Sequence, residues 1–175
     1  MIDKLAVLDL ETTGLNPSKD EIIEVGIVIV GWPGIEIHRT YETKVKPSPI
    51  AVCTPGAAAV NGYDPIEWVN APNLRDIWPT LITFLGGSKT SILAQNVTLD
   101  RGFLHEAERL LGPLGVDYHY LDLCSMALQA FPNIPSLSMK NIAPFLGVPE
   151  EPLPHRAING ATTAVKILRK LRGVE

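Results

Sequence analysis

Residues 5–8, Leu-Ala-Val-Leu, form an apolar run that continues through Asp9, Leu10 and Glu11 and stops at Thr12-Thr13-Gly14. Such a run, closed by turn residues, predicts a short central strand. After a polar loop at 16–21, the β-branched stretch 22–30 predicts a second strand, and Gly31-Trp32-Pro33-Gly34 a turn. Residues 35–45 alternate well enough for a third strand, so the first third reads as an antiparallel meander. Thr54-Pro55 is an N-cap followed by an N1 proline for a short helix over 57–60 that Asn61-Gly62 ends. Helical spacing over 74–85 stops at Gly86-Gly87. A strand at 91–94 precedes a helix over 99–111, which Gly112-Pro113 ends. A strand at 118–123 leads into a helix at 125–131. Ser136 caps a helix ending near Gly147, and 157–171 forms the last helix. Strands first, then strands alternating with helices, predict an α/β fold: a mixed sheet covered by helices. No internal repeat or linker divides residues 1–175, which read as a single domain.

The size agrees with that reading, since 175 residues suit one domain of roughly 100–200. With 46% hydrophobic residues and no low-complexity tract, intrinsic disorder is excluded. The two cysteines, Cys53 and Cys124, fit neither a zinc spacing nor a disulfide framework, which points to a reducing, cytoplasmic setting. No apolar run approaches the ~20 residues of a membrane span, and no membrane partner is expected. A net charge of −4 with a pI near 5.6 argues against a broad basic face for duplex nucleic acid. It leaves room for an acidic site that recruits divalent cations.

Three acids stand in apolar surroundings. Asp9 and Glu11, two apart on a strand, leave the same face at its end, where an ionised carboxylate is costly unless it is paired or holds a metal. Asp100 shares a helix face with Phe103, Leu104, Ala107 and Leu111, which puts it at the start of the buried stripe. Taken alone, Asp100 reads as a first-turn acid favoured by the helix dipole. His155 follows the stiff Pro152-Leu153-Pro154 and precedes a helix with a small-residue face of Ala157, Gly160, Ala161 and Ala164. His38, His105 and His119 lack an acidic partner of recognisable spacing and read as solvated.

In that order the motifs resemble those of the DEDDh 3′→5′ exonucleases, the family of the proofreading ε subunit of bacterial DNA polymerase III. Asp9-Leu10-Glu11-Thr12-Thr13-Gly14 is similar to the first motif. Gln95-Asn96-Val97-Thr98-Leu99-Asp100 is similar to the second, His-Asn-x-x-Phe-Asp. His155-Arg156-Ala157-Ile158-Asn159-Gly160-Ala161 is similar to the third, His-x-Ala-x-x-Asp-Ala. The resemblance spans essentially the whole chain and implies a ribonuclease H-like fold, a five-stranded mixed sheet flanked by helices. It implies release of nucleoside monophosphates from a free 3′ end of single-stranded or frayed nucleic acid, alone or beside a polymerase. Two Mg²⁺ or Mn²⁺ ions would be held by Asp9, Glu11, Asp100 and a fourth acid, with His155 as general base. The ordinary histidine pKa of about 6.5 suits that role. The terminal nucleotide would lie on Thr12, Thr13, Gly14 and Leu15, with Asn96 nearby.

The fourth acid is missing, because the matching position is Gly160. Losing an anionic oxygen weakens the hold on a hard cation, so the resemblance implies an impaired enzyme. The alternative it leaves open is a catalytically inactive module that binds 3′ ends or a protein partner. Glycine inside a helix also costs roughly 0.5–1 kcal/mol relative to alanine, and its bland explanation is close helix packing. Asp122, at a strand end, is a conceivable substitute acid, whereas Glu24 reads as structural and Asn159 points about 100° away. Gln95 replaces a histidine that is not a metal ligand. Neither a phosphate-binding Gly-Lys loop nor a nucleophile elbow is present.

Overall fold

The structure, a computed structural model, describes residues 1–174. Its first strands form the expected meander: β1 (Lys4–Thr12), β2 (Ile22–Gly31) and β3 (Ile37–Lys44), paired antiparallel in sequence order. β4 (Thr90–Ala94) joins the other side of β1 in parallel, and β5 (Leu121–Asp122) extends β4, giving the order β3-β2-β1-β4-β5. This is the five-stranded mixed sheet that was anticipated. Among the described residues, seven helices cover it: α1 (Pro55–Asn61), α2 (Pro65–Trp68), α3 (Leu74–Leu85), α4 (Val97–Leu111), α5 (Leu123–Ala130), α6 (Met139–Phe145) and α7 (Ala157–Arg172). None of them is long and apolar enough to cross a membrane.

Strand alternation sorts the core into two layers. Leu5 and Val7 of β1 pack with Val28 and Val30 of β2 beneath α5, α6 and α7, while Ala6 and Leu8 pack with Val25, Ile27 and Ile29 beneath α3 and α4. Extending the odd series of β1 places Asp9 and Glu11 on the α7 layer. There the register sets Asp9 opposite Gly26 and Glu11 opposite Glu24. The pairing of β1 with β4 ends at Val7↔Leu93, so the acidic end of β1 overhangs β4 just where the chain turns into α4. In open α/β sheets, such carboxyl ends of neighbouring parallel strands are where ligands bind.

Gly26 makes the α7 layer possible. A Cβ at position 26 would collide with the Ala157 carbonyl carbon and the Ile158 backbone nitrogen, so the first turn of α7 lies directly on the backbone of β2. The small residues Ala157, Gly160, Ala161 and Ala164 continue this contact along the buried stripe of the helix.

Several boundaries differ from the sequence reading for local reasons. β3 starts at Ile37 because buried Ile35 adopts φ 60°, which breaks the extended run. The strand expected over 118–123 shrinks to Leu121–Asp122, because Asp117 accepts the His119 backbone N–H at 2.8 Å and bends the chain ahead of it. The N-cap of α6 is Ser138, not Ser136, whose hydroxyl instead accepts the Ser138 N–H at 3.3 Å. Two histidines do have acidic partners two residues away, His38 with Glu36 at 3.3 Å and His119 with Asp117 at 3.1 Å. Both are exposed surface pairs, worth little. The helix Pro65–Trp68 was not expected, although Asp64-Pro65 supplies the same cap and N1 proline that marked α1.

A methyl group at position 26 meets rigid backbone. Gly26→Ala is therefore expected to lower stability by about 1–3 kcal/mol, the usual penalty for overpacking. Gly56→Ala, in open space on α1, is expected to raise stability by about 0.4–1 kcal/mol. Urea denaturation of both variants reads the contrast.

Candidate active site

The turn after β1 is closed by its own side chains. Thr12 Oγ1 donates to the Gly14 carbonyl at 2.6 Å, and Thr13 Oγ1 accepts the Glu21 N–H at 2.9 Å. Both threonines are buried, their hydroxyls already engaged, while Leu15 at the tip is 78% exposed. Gly14 lies against the Asp20 side chain, whose carboxyl carbon would be 2.6 Å from a Cβ there.

The end of α1 brackets this turn to the third motif. The Asn61 side-chain amide donates to the Thr12 carbonyl at 3.0 Å. The carbonyls of Val60 and Asn61 accept from the His155 backbone N–H at 2.9 Å and from an Arg156 guanidinium nitrogen at 2.6 Å. One short helix thus ties His155 to the strand end that carries Asp9 and Glu11. The start of α7 is tied in as well, because the Ala157 N–H donates to Glu24 Oε1 at 3.1 Å.

The carboxylates crowd one another. Burial raises the Asp9 pKa well above its ordinary value, and the charges of Asp100, Glu11, Glu151 and Glu24 push it further. Burial carries Glu11 up to about 7, with Glu151 and Glu24 adding to the rise and Arg156 opposing it. Burial likewise raises Asp100 to about 7, and the backbone N–H groups of Asp100 itself and Leu10 pull it partly back. Asp100 thus reaches the Leu10 backbone of β1, although the two residues are far apart in sequence. At an effective dielectric of about 20, like charges roughly 4 Å apart repel by about 4 kcal/mol, so holding several together is expensive. Arg156 brings a positive charge to this cluster, 3.9 Å from Glu24 Oε2.

His155 stands at the rim with its side chain 39% exposed, and its Nδ1 lies 3.8 Å from Glu151 Oε2. A cavity of about 250 Å³ opens beside it, lined by His155, Glu151, Glu150, Leu153, Met139 and Lys140. A larger, more apolar cavity of about 580 Å³, containing Tyr63 and Trp68, holds none of the carboxylates. Asn96 is exposed at the N-cap of α4 and makes no side-chain capping bond.

Gly160 lies where the α7 helix meets Asp9. A Cβ at 160 would sit 2.8 Å from Asp9 Cγ, so the Asp9 carboxylate leans into the volume a side chain there would fill. Asp122 is not turned into the cluster: it accepts the N–H groups of Val97 and Ser125 at 3.2 and 2.8 Å, capping α4 and α5. Gln95 donates to the Leu137 carbonyl at 2.8 Å, which makes it a brace. The sequence reading passed over three contributors. The residue pattern marks Asn61 as a helix end and Arg156 as part of the third motif, and it leaves Glu151 unmarked by motif. Its signal was an acid four residues before the candidate base.

Among the described residues, no three His, Cys, Asp or Glu side chains form a ready-made metal cage. The donor set nevertheless suits a hard divalent cation in atom type and charge, with carboxylate oxygens throughout and far more negative than positive charge. Glu24 Oε2 is buried without a hydrogen-bond partner, the kind of atom a nearby ion satisfies.

Residues 6–168 match the exonuclease family, to which the chain belongs. It is 31% identical over 170 residues to the PolC-type DNA polymerase III of Thermotoga maritima, spanning 97% of this chain but only 12% of that protein. Against the DNA polymerase III subunit epsilon of Aquifex aeolicus it is 26% identical, covering 94% of this chain and 78% of the relative. Among solved structures, the nuclease domain of 3′hExo, a DEDDh family member bound to rAMP, superposes with TM-score 0.80 at 20% identity, covering 98% of this chain and 93% of that one.

The raised acids set a pH dependence whose sign is fixed. Where the folded pKa exceeds the unfolded value, the folded state binds more protons, and stability falls as pH rises between the two. In EDTA, thermal stability is expected to drop from about pH 4 to 7, the range spanned by Glu11 and Asp100. Asp100→Asn is expected to flatten that slope and to raise stability at pH 7.5 by on the order of 1 kcal/mol. Melting curves across this pH range test it.

Proposed function

We propose that this chain is a divalent-metal-dependent 3′→5′ exonuclease domain that removes nucleoside monophosphates from single-stranded or frayed 3′ ends. The observation that carries the reading is the convergence of Asp9, Glu11 and Asp100, from two distant motifs, at the end of β1. Asp9, Glu11 and Asp100 would hold the ions, Mg²⁺ or Mn²⁺. Bound there, the metal supplies acidity to a water molecule and charge for the departing 3′ oxygen.

His155 acts as the base. Its Nδ1 side faces Glu151, leaving Nε2 to take the proton of the attacking water, and its backbone is held by the Val60 carbonyl. The tip of the Thr12–Leu15 turn receives the terminal nucleotide. Leu15 offers an apolar surface for the base, and the buried threonine hydroxyls keep the turn rigid. Asn96 is free to donate to the sugar or phosphate. Nothing in this arrangement reads base identity, so specificity lies in the free 3′ end. With glycine at 160, α7 gives the site no oxygen of its own, and turnover is slower than a four-acid site would provide. As in polymerase-associated relatives, a polymerase is a fitting partner.

With Mn²⁺ or Mg²⁺, the protein is expected to release nucleoside monophosphates from a 3′-labelled single-stranded oligonucleotide. Asp9→Asn and Asp100→Asn should abolish release, and His155→Ala should slow it by about 10²–10⁴-fold. Absence of turnover at every metal concentration sinks the enzymatic reading. In that case, 3′-end binding that persists in EDTA would favour a binding module.

A further inference from the structure

Glu151 has no counterpart among the residues that define the site, yet it is built into it. Its side chain is only 7% exposed. Oε1 accepts the Arg156 backbone N–H at 3.0 Å, which fixes the carboxylate beside the third motif. Oε2 has only His155 Nδ1 near it, at 3.8 Å, too far for a hydrogen bond. Glu151 borders the cavity next to His155, and the Arg156 N–H that holds it adjoins the Ala157 N–H that holds Glu24, itself opposite Glu11 in the sheet register. Its charge is also felt by Asp9 and Glu11.

Charge bookkeeping shows what this placement can do. Glu24 also reaches the cluster: the α7 N–H binds Oε1, and Arg156 lies 3.9 Å from Oε2, which is buried without a hydrogen-bond partner. Glu151 accepts the Arg156 N–H and faces His155, which offers it a cation when protonated. Gly160 meanwhile leaves α7 silent where an acid would face Asp9.

We propose that Glu151 supplies from the loop before α7 the fourth carboxylate charge for divalent-cation binding that Gly160 withholds from the helix. The proposal rests on the metal-dependent reading above. Loop and helix enter the same site from neighbouring points on the chain, so negative charge lost from one is recovered on the other. Being held by the Arg156 N–H, the carboxylate keeps its position beside His155 whether or not the side chain at 160 is acidic.

Titration calorimetry with MnCl₂ alone, without nucleic acid, tests this. Glu151→Gln keeps the shape and an oxygen to accept from Arg156, so the loop is retained while the charge is lost. It is expected to weaken Mn²⁺ binding by about 10–100-fold, the loss typical of removing a supporting group at a metal site. Glu36→Gln, at an exposed acid beside His38 and away from the cavity, is expected to leave it unchanged. Gly160→Asp should then strengthen binding far more in the Glu151→Gln background than in the native protein, because the two carboxylates serve one purpose. Glu151→Ala replaces the Gln variant if that one does not fold. Native-like Mn²⁺ affinity in the charge-free variants, or equal gains from Gly160→Asp in both backgrounds, overturns the proposal while leaving the exonuclease reading intact. A native protein that takes up no Mn²⁺ overturns both.

Discussion

Bringing Asp9, Glu11 and Asp100 to the end of one strand concentrates negative charge in a partly buried volume, and much of the nearby structure answers that cost. Part of the answer is protonation, visible in the raised pKa of all three. Part is the positive end of α7, whose first N–H, that of Ala157, is bonded to Glu24. Arg156 supplies a full charge and, through the Asn61 carbonyl, links the third motif to α1. These groups reduce the repulsion without cancelling it, and a site with surplus negative charge is what a hard cation requires.

The packing of α7 and the electrostatics of the site are one problem. The helix can approach closely because Gly26 and Ala157 let backbone meet backbone, and closeness carries its N-terminal dipole to the acids. The same closeness lets the Asp9 carboxylate occupy the volume a side chain at 160 would share. Glycine there is compatible with tight packing and removes an acid at the same stroke. The structural and chemical explanations of Gly160 are therefore not rivals.

Rigidity around the site comes from short elements rather than long ones. α1 is seven residues, yet its end holds the turn after β1 on one side and the His155–Arg156 backbone on the other. The Thr12 and Thr13 hydroxyls close the turn internally, which leaves Leu15 as its outward contact. A site assembled from strand end, turn and loop needs such bracing, because misplacing a reacting group by about 1 Å can cost 10²-fold in rate.

The meander, the helices at 74–85 and 157–171 and the mixed sheet were legible in the order of residues, because apolar periodicity and turn residues act over a few positions. Asp9 and Glu11 were legible too, since period-two alternation alone puts them on one face. Less could be read where a distant contact outweighs local preference. The short β5 depends on an Asp117 turn, and buried Ile35 holds a positive φ that its own side chain disfavours. Asp100, read alone, was an ordinary first-turn acid, and the end of β4 brought it to Leu10. Asp122, a conceivable substitute, proved to be committed to two helix caps, while Glu151, whose one local signal is its place four residues before His155, was folded against that histidine. The chain by itself thus determined which acids stand in costly surroundings, since that depends on immediate neighbours. Only the tertiary structure decided which acids share a site, because charges interact through space and the loop before α7 can be placed only once the helix has docked.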